Sequence, residues 1–295
     1  MNLYSDSIAT EDILGRSELA EKIAEGLVLS AKVQTTGFVT GITGKWGSGK
    51  STLLHFLKSH IQEVCIRENV EPLIIEFNPW IFADTSNIRV AILKTLAANM
   101  QGPTPKWKKF LVTHSKKLEY IELAHGGLGR IGKDAARLLS NYLDTNDALA
   151  LKKKIDELLV TANKKIFVFI DDIDRLAPKQ IFEILQVLKL TGNFSNTYYI
   201  IAYDREAVET AIETQFKDYG KKYLDKIVQA DFLIPEAPDE KIEQLLFNGL
   251  DSICMSQKIK YSSAELSSVW LHRGLRLYFS TLRDIYRYLN YINSE

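Results

Sequence analysis

The chain carries the stretch Gly44-Lys45-Trp46-Gly47-Ser48-Gly49-Lys50-Ser51, which fits the phosphate-binding pattern G-x-x-x-x-G-K-[ST]. Glycines let such a loop turn tightly, so that successive backbone N–H groups point at phosphate oxygens. In this pattern Lys50 reaches the β- and γ-phosphates, and the Ser51 hydroxyl ligates Mg²⁺. We therefore expect a nucleotide site with Mg²⁺, formed by Gly44, Lys45, Trp46, Gly47, Ser48, Gly49, Lys50, Ser51 and Thr52.

The segments on either side of this loop have the periodicity of a strand and of a helix. Residues 37–43 form a short, mostly apolar stretch that enters the loop. Behind the loop, apolar residues recur at helical spacing at Leu53, Leu54, Leu57 and Ile61. A strand, a glycine loop and a helix N-terminus together bind phosphate, because the helix dipole adds to the free N–H groups. This context disfavours the alternative of a glycine-rich turn before an ordinary helix.

A second stretch, residues 166–175, supplies the acidic partner that such a loop needs. Its five leading apolar residues suit a central strand buried on both faces. Carboxylates follow at the C-terminal end, where ligands bind in open α/β sheets. We expect Asp171 to hold Mg²⁺ together with Ser51, and Asp172 to orient the attacking water. The alternative is that the carboxylates cap the strand end and pair with Arg175. The roles of Asp174 and Arg175 stay open. Either residue could shape the site, face a neighbouring subunit or be purely structural.

Strand-like and helix-like segments alternate along the rest of the chain, which favours an α/β fold with a largely parallel sheet. Further strands are predicted at 73–77, 198–202 and 232–235, which makes a central, mostly parallel five-stranded sheet. We expect residues 1–235 to form the nucleotide-binding core, with a helical insertion at about 102–147. Residues 236–295 are predicted to form a C-terminal helical subdomain that acts as a lid. Since the chain stops soon after its last predicted helix, we expect a fragment of a longer protein or a short member of its family.

Composition excludes several classes of protein. The chain has 295 residues, of which 46% are hydrophobic and 25% charged, with a formal net charge of +0. This neutral balance gives no support to nucleic acid as a partner. The two cysteines, Cys65 and Cys254, lie far apart and in no metal or redox pattern, which favours a reducing, cytoplasmic setting. We find no signal peptide and no apolar run long enough to span a membrane.

The start of the predicted insertion is basic and aromatic. Five lysines between positions 106 and 117 surround Trp107 and Phe110. Such a segment could contact anionic lipid or nucleic acid, so peripheral membrane contact stays open. The favoured alternative is a solvated face whose aromatic side chains pack on the body of the protein.

Four segments together resemble the KAP P-loop NTPases, a family related to the STAND and AAA+ ATPases. They are residues 44–51, Phe77-Asn78-Pro79-Trp80, residues 171–175 and residues 223–229. The tryptophan inside the loop and the Asn-Pro-Trp after the second strand are the more specific marks, and the similarity covers nearly the whole chain. Many members of this family carry transmembrane helices between the phosphate-binding loop and the acidic stretch. Here that interval is too charged and too rich in glycine to span a bilayer, which puts membrane scaffolding in doubt.

The resemblance implies roles for residues outside the two motifs, and it favours ATP over a guanine nucleotide. Ile13 and Leu14 belong to a box that lies against adenine in related ATPases. The segment 203–205 follows the fourth strand, where relatives sense the γ-phosphate. Arg205 or Lys226 is a candidate finger acting on a neighbouring subunit. Second-sensor candidates are Arg283 and, less favoured, Arg287, the alternative being arginines opposite an apolar helix face.

These observations predict a Mg²⁺-dependent ATPase that acts as a homo-oligomer or with an effector protein. The resemblance implies a biological role in phage exclusion. Its catalytic residues would be Lys50, Asp172, Arg205 and Lys226. The alternatives are a nucleotide-dependent switch with little turnover, a motor stimulated by nucleic acid, and a small-molecule kinase. The neutral charge counts against the motor, and the paired Asp171 and Asp172 favour water over another acceptor.

Overall fold

A computed structural model describes Tyr4 and the ranges 12–82, 164–215, 220–259 and 274–294. It also describes isolated positions between them, namely 88, 91, 92, 95, 99, 157, 160, 262 and 268–270. The predicted insertion at 102–147, with its proposed basic contact surface, lies outside these residues.

Five parallel strands form the central sheet. They are β1 (Phe38–Thr43), β2 (Pro72–Phe77), β3 (Lys165–Ile170), β4 (Thr197–Tyr203) and β5 (Ala230–Leu233). Their order in the sheet is β2-β3-β4-β1-β5, and every pairing is parallel. The predicted α/β fold with a five-stranded, mostly parallel sheet is therefore confirmed. The other four strands lie within one residue of their predicted bounds, whereas the pairing of β5 with β1 runs over 230–233 rather than the predicted 232–235.

The helices of the described residues lie between and after these strands. They are α1 (Ser17–Val33), α2 (Lys50–Arg67), α3 (Pro178–Thr191), α4 (Arg205–Gln215), α5 (Gly220–Leu224), α6 (Asp239–Gln257) and α7 (Leu282–Ser294). Short 3-10 turns occur at Pro79–Phe82, Ile173–Arg175 and Leu275–Tyr278. Within this part of the chain, no helix combines the length and the apolar character that crossing a bilayer requires.

The strands bury alternate residues on opposite faces, because successive side chains of a strand point to opposite sides of the sheet. In β4, Tyr198 and Ile200 pack against α1 and α2, whereas Tyr199 and Ile201 pack against α3 and α4. Helices thus cover both faces, which fits the near-continuous apolar sequence of the central strands.

Helix α1 was not among the predicted elements. It packs along α2 through a stripe of small and aliphatic residues, Ala20, Ile23, Ala24, Leu27, Val28 and Ala31, all buried. Their spacing follows the helical period, so the signal was present in the sequence. The prediction failed because the segment was interpreted only for its first residues, the box at 12–16.

The C-terminal helices have a hydrophobic core of their own. Ile242 and Leu246 of α6 pack with Ile285 and Leu289 of α7, around the buried Trp270. At Gly249 a Cβ would come within 2.2 Å of Leu289 Cδ1, so glycine is needed for the two helices to approach this closely. This separate cluster supports a helical subdomain after about residue 236, which we retain as a proposal.

Candidate nucleotide site

The loop between β1 and α2 has a backbone that requires glycine. Gly47 and Gly49 have φ angles of 80° and 88°, in the left-handed region that other residues rarely adopt. At Gly44, a Cβ would come within 2.5 Å of Ser48 Oγ. That hydroxyl is buried and has no hydrogen-bond partner among the described residues. An unpaired polar atom inside a loop of this shape fits a phosphate oxygen as its missing partner.

Lys50, the first residue of α2, lies across the mouth of the loop. Its Nζ donates to the carbonyl oxygen of Gly44 at 2.9 Å and pairs with Asp174 Oδ2 at 3.1 Å. Both side chains of this ion pair are nearly buried, with 10% and 8% exposed. Asp174 Oδ2 also accepts the backbone N–H of Asp204 at 3.0 Å. Asp174 therefore links the loop lysine to the end of β4, a contact that sequence reasoning left open.

Asp171 follows β3 and lies beside Ser51, as predicted. The Ser51 hydroxyl donates a hydrogen bond to its carboxylate, and the backbone N–H of Asp172 donates another at 2.8 Å. Burial nevertheless raises the pKa of Asp171, because these two bonds and nearby Lys50 offset the desolvation only in part. A hydroxyl and a half-buried carboxylate side by side are the oxygen ligands that Mg²⁺ prefers. These residues fit the predicted metal.

Asp172 adopts a left-handed backbone, with φ of 59°. Both of its carboxylate oxygens are engaged: Oδ1 pairs with Arg175 Nε at 2.7 Å, and Oδ2 accepts a hydrogen bond from Asn78 Nδ2 at 3.0 Å. The predicted pairing of this acidic cluster with Arg175 is thus present, and it does not exclude a role for Asp172 toward water. A non-glycine residue in this conformation carries strain that functional sites often retain.

The bond from Asn78 to Asp172 is absent from the sequence-based predictions, in which Asn78 is only the end of a strand and a mark of the family. The register of the sheet explains its position. Phe77 of β2 pairs with Ile170 of β3, so the residues that follow the two strands emerge side by side. A polar residue directly after the strand next to β3 was the available signal.

The exposed ring of Trp46 lies near the guanidinium groups of two arginines. Its ring centroid is 5.3 Å from the guanidinium carbon of Arg175 and 5.8 Å from that of Arg283. Thr281 precedes α7 and touches the loop, since a Cβ at Gly47 would lie 3.0 Å from Thr281 Oγ1. The C-terminal helices therefore reach the loop at the position of Arg283, whose sensor role stays a prediction. Arg287 is exposed on the same helix.

Arg16 is a buried arginine that sequence reasoning did not single out. Its guanidinium donates to the carbonyl oxygens of Ser48 and Pro235, the latter at 3.1 Å. It also occupies the space beside Gly49, where a Cβ would meet Arg16 Nη1 at 2.8 Å. Burial lowers its pKa, against the effect of nearby Asp12. Arg16 thus stabilises the loop through its bond to Ser48. The neighbouring Ile13 and Leu14 are half-buried, and their contact with adenine remains a prediction.

The two predicted fingers lie in different settings. Arg205 begins α4 and binds three carboxylates of its own chain, Glu209, Asp225 and Asp231. Tyr203 donates to the same Asp231 at 2.8 Å. Lys226 is exposed, and its side chain forms no ion pair within the described ranges. The finger role of Arg205 and that of Lys226 both concern a second subunit, and both remain predictions.

The sequence profile of the KAP family P-loop domain matches residues 16–294. The chain belongs to the KAP family. Its members are P-loop NTPases, so the loop of residues 44–51 is a nucleotide-binding loop in this chain as well.

One relative and one solved structure are similar to this KAP domain. The phage T7 exclusion protein of Escherichia coli strain K12 is 25% identical over 254 residues, which cover 76% of this chain and 33% of that protein. The KAP chain thus spans about a third of the length of this curated relative. The solved structure of the Aeropyrum pernix ORC1 protein in complex with DNA matches with a TM-score of 0.50 and 10% identity, covering 96% of this chain and 61% of that one. At this identity the likeness concerns the fold alone.

In the KAP chain, the order of strands brings most of the predicted site residues together at the C-terminal ends of the strands. Lys50, Ser51, Asp171 and Asp172 lie together there, with Asn78, Asp174 and Arg16 added by the structure. The side chain of Arg205, by contrast, is directed into its own carboxylate cluster.

Proposed function

We propose that this KAP domain binds ATP with Mg²⁺ and hydrolyses it. The observation that carries the proposal is the convergence of Lys50, the Ser51–Asp171 pair and Asp172 around one glycine loop. Lys50 and the loop N–H groups would neutralise charge on the phosphates, which is the main requirement of phosphoryl transfer. Mg²⁺ bound between Ser51 and Asp171 would supply further charge neutralisation at the phosphate oxygens.

Asp172 is the proposed water-orienting residue. To accept a proton or a hydrogen bond from water, it needs a lone pair that is not already used. Asn78 and Arg175 each use one lone pair of a different oxygen, which leaves the second lone pair of each oxygen for water. Asn78 and Arg175 would thus fix the orientation of this carboxylate toward the water.

The remaining assignments extend this proposal to the rest of the chain. Ile13 and Leu14 would contact adenine and Arg283 would act as a second sensor. An arginine or lysine from a neighbouring subunit, with Arg205 and Lys226 as candidates, would make turnover depend on assembly. The setting would be the cytoplasm, and the partner a second copy or an effector protein. Since one relative is a phage T7 exclusion protein, the proposed biological role is phage defence.

A second candidate function is a nucleotide switch with little turnover. It is favoured by one observation: Lys50 is held by Asp174, and Asp172 is held by Asn78 and Arg175. A site whose charged groups are all paired internally would bind nucleotide yet wait for a trigger to rearrange.

Steady-state ATP hydrolysis, measured with Mg²⁺ against protein concentration, separates the two functions. For an assembly-dependent ATPase the rate rises faster than linearly with protein. The Asp172→Asn variant should still bind ATP but lose about 10²–10⁴-fold in turnover, the usual contribution of a general base. The exposed Glu213→Gln change on α4 is the matched control. ATP binding without turnover in the wild type would favour the switch, and wild-type turnover in Asp172→Asn would remove Asp172 from the mechanism.

A further inference from the structure

The side chain of Trp46 connects three elements that meet at the phosphate loop. It belongs to the loop, and its ring is contacted by Arg175 from the turn after β3 and by Arg283 from the first turn of α7. The residue is 58% exposed, so burial in a core does not account for its presence. The two cation–π contacts are the interactions that a tryptophan, and not a smaller polar residue, makes at this position.

Two guanidinium groups near one ring have a cost, because their like charges repel each other. The electron-rich face of the indole offsets that repulsion and is the strongest partner among aromatic side chains. Stacking engages the face of a guanidinium and leaves its in-plane N–H groups suited to carboxylate or phosphate oxygens. Arg175 already uses such a group toward Asp172, at 2.7 Å. The ring thus holds the two guanidinium groups beside the acidic residues of the site.

The first turn of α7 is ordered by a cap of its own. The backbone N–H of Thr281 donates to Asp284 Oδ2 at 2.9 Å, and the backbone N–H of Asp284 donates to Thr281 Oγ1 at 3.3 Å. Such reciprocal bonds order the start of a helix. Because Thr281 also touches Gly47, the position of Arg283 is set by a capped helix end resting on the loop.

We propose that Trp46 is a positioning residue, which keeps the C-terminal helices docked on the phosphate loop and holds Arg175 and Arg283 together at the nucleotide. The kinetic part of this inference rests on the proposed ATPase function, whereas the docking of α7 does not. Because Lys50 and the loop N–H groups would bind phosphate whatever side chain residue 46 carries, the ring should affect hydrolysis more than binding.

Three proteins test this inference: the wild type, Trp46→Phe and Trp46→Leu. Two measurements are made on each, ATP affinity together with kcat, and hydrogen–deuterium exchange of the amides of α7. In Trp46→Leu, kcat should fall by about tenfold, the product of a severalfold loss for each of the two cation–π contacts. ATP affinity should change by less than about threefold, since the backbone contacts remain. Trp46→Phe keeps an aromatic face and should lie between the two.

Exchange of the α7 amides should rise in the same order, also without nucleotide. Arg283→Leu should raise this exchange as well. Because Trp46 and Arg283 share one contact, adding Trp46→Leu to Arg283→Leu should raise the exchange by less than Trp46→Leu raises it in the wild type. Tyr291→Leu removes an exposed aromatic ring from the same helix and is the matched control.

The outcomes separate the inference from the proposed function. If the wild type neither binds nor hydrolyses ATP, the proposed function fails, and the α7 exchange data still decide the docking role. If α7 exchange in Trp46→Leu equals that of the wild type, the positioning role is wrong even when ATP is hydrolysed. A loss of ATP affinity as large as the loss of kcat would also overturn it, because the ring would then act in binding itself.

Discussion

Lys50 and Arg205 are both basic side chains placed after strands of the same sheet, yet their surroundings differ. Lys50 is 10% exposed and pairs with one carboxylate, Asp174. Arg205 is 31% exposed and pairs with three, Glu209, Asp225 and Asp231. An incoming phosphate therefore competes with a single carboxylate at Lys50, but with three at Arg205.

This difference suggests two uses of a positive charge. At Lys50, a nearly buried pair carries a desolvation cost that a triphosphate could offset better than one carboxylate does. At Arg205, the cation neutralises carboxylates that would otherwise repel each other. The geometry thus supports a ligand-exchanging role for Lys50. It offers a structural role for Arg205 as the alternative to the predicted finger. Four variants test this contrast between the two cations.

The largest effect is expected from Lys50→Ala. Removing the main phosphate cation should weaken ATP binding by about a hundredfold or more, since each hydrogen bond to a charged group contributes about 1.5–3 kcal/mol. Isothermal titration calorimetry with ATP and Mg²⁺ measures it. Lys58→Ala, on the same helix but paired with Glu76 at the surface, is the control. Unchanged affinity in Lys50→Ala would remove the nucleotide site from this loop.

Arg205→Ala should chiefly reduce stability. Three carboxylates would lose their shared cation, and we expect a loss of about 1–3 kcal/mol in the free energy of unfolding, scaled down for its partial exposure. Urea denaturation measures it, with the exposed Lys226→Ala as control. The double variant Arg205→Ala/Asp231→Asn should recover part of the loss. Full stability with lost turnover in the assembled protein would instead support the finger.

Asp174→Asn should strengthen ATP binding. Asparagine keeps an oxygen that can accept the Asp204 N–H, but it removes the charge that competes for Lys50. A gain of about threefold to tenfold corresponds to roughly 0.7–1.4 kcal/mol. Competition binding with a fluorescent nucleotide is sensitive enough to detect it. Weaker binding would mean that Asp174 positions Lys50 for the ligand rather than competing with it.

The smallest effect concerns Asp171, whose pKa is raised by burial. A carboxyl with a raised pKa in the folded state destabilises the fold when ionised, so its cost is absent below the unfolded value, near 3.8, and develops as pH rises through the folded pKa. Without Mg²⁺, Asp171→Asn should therefore be more stable than the wild type at pH 7, by about 0.5–2 kcal/mol.

Thermal unfolding in EDTA at pH 7 and in acid tests this prediction. The gain of Asp171→Asn should shrink in acid, where the wild-type carboxyl is protonated. A wild type that is as stable as the variant at pH 7 would contradict the proposed cost of the buried charge.

The local elements were predictable from the sequence, whereas the contacts between them were not. The phosphate loop, β1 to β4 and the acidic stretch each carry a periodicity or a residue pattern within about ten residues, and the structure confirms these strands. The bonds from Asn78 to Asp172 and from Arg16 to Ser48 join residues 94 and 32 positions apart. They depend on the order of strands in the sheet and on the element against which α1 packs. Local periodicity shows which face of α1 is buried, but not which element covers that face.

The left-handed backbone at Asp172 limits what natural variation or design can place there. Glycine enters this region freely, and aspartate and asparagine enter it with less strain than other residues, whereas a β-branched residue would add strain to the turn after β3. Asparagine is therefore the replacement that removes the carboxylate while preserving the main chain. A valine or isoleucine at the same position would disturb Arg175 and the start of the next helix at once, and would confuse a defect in chemistry with a defect in shape.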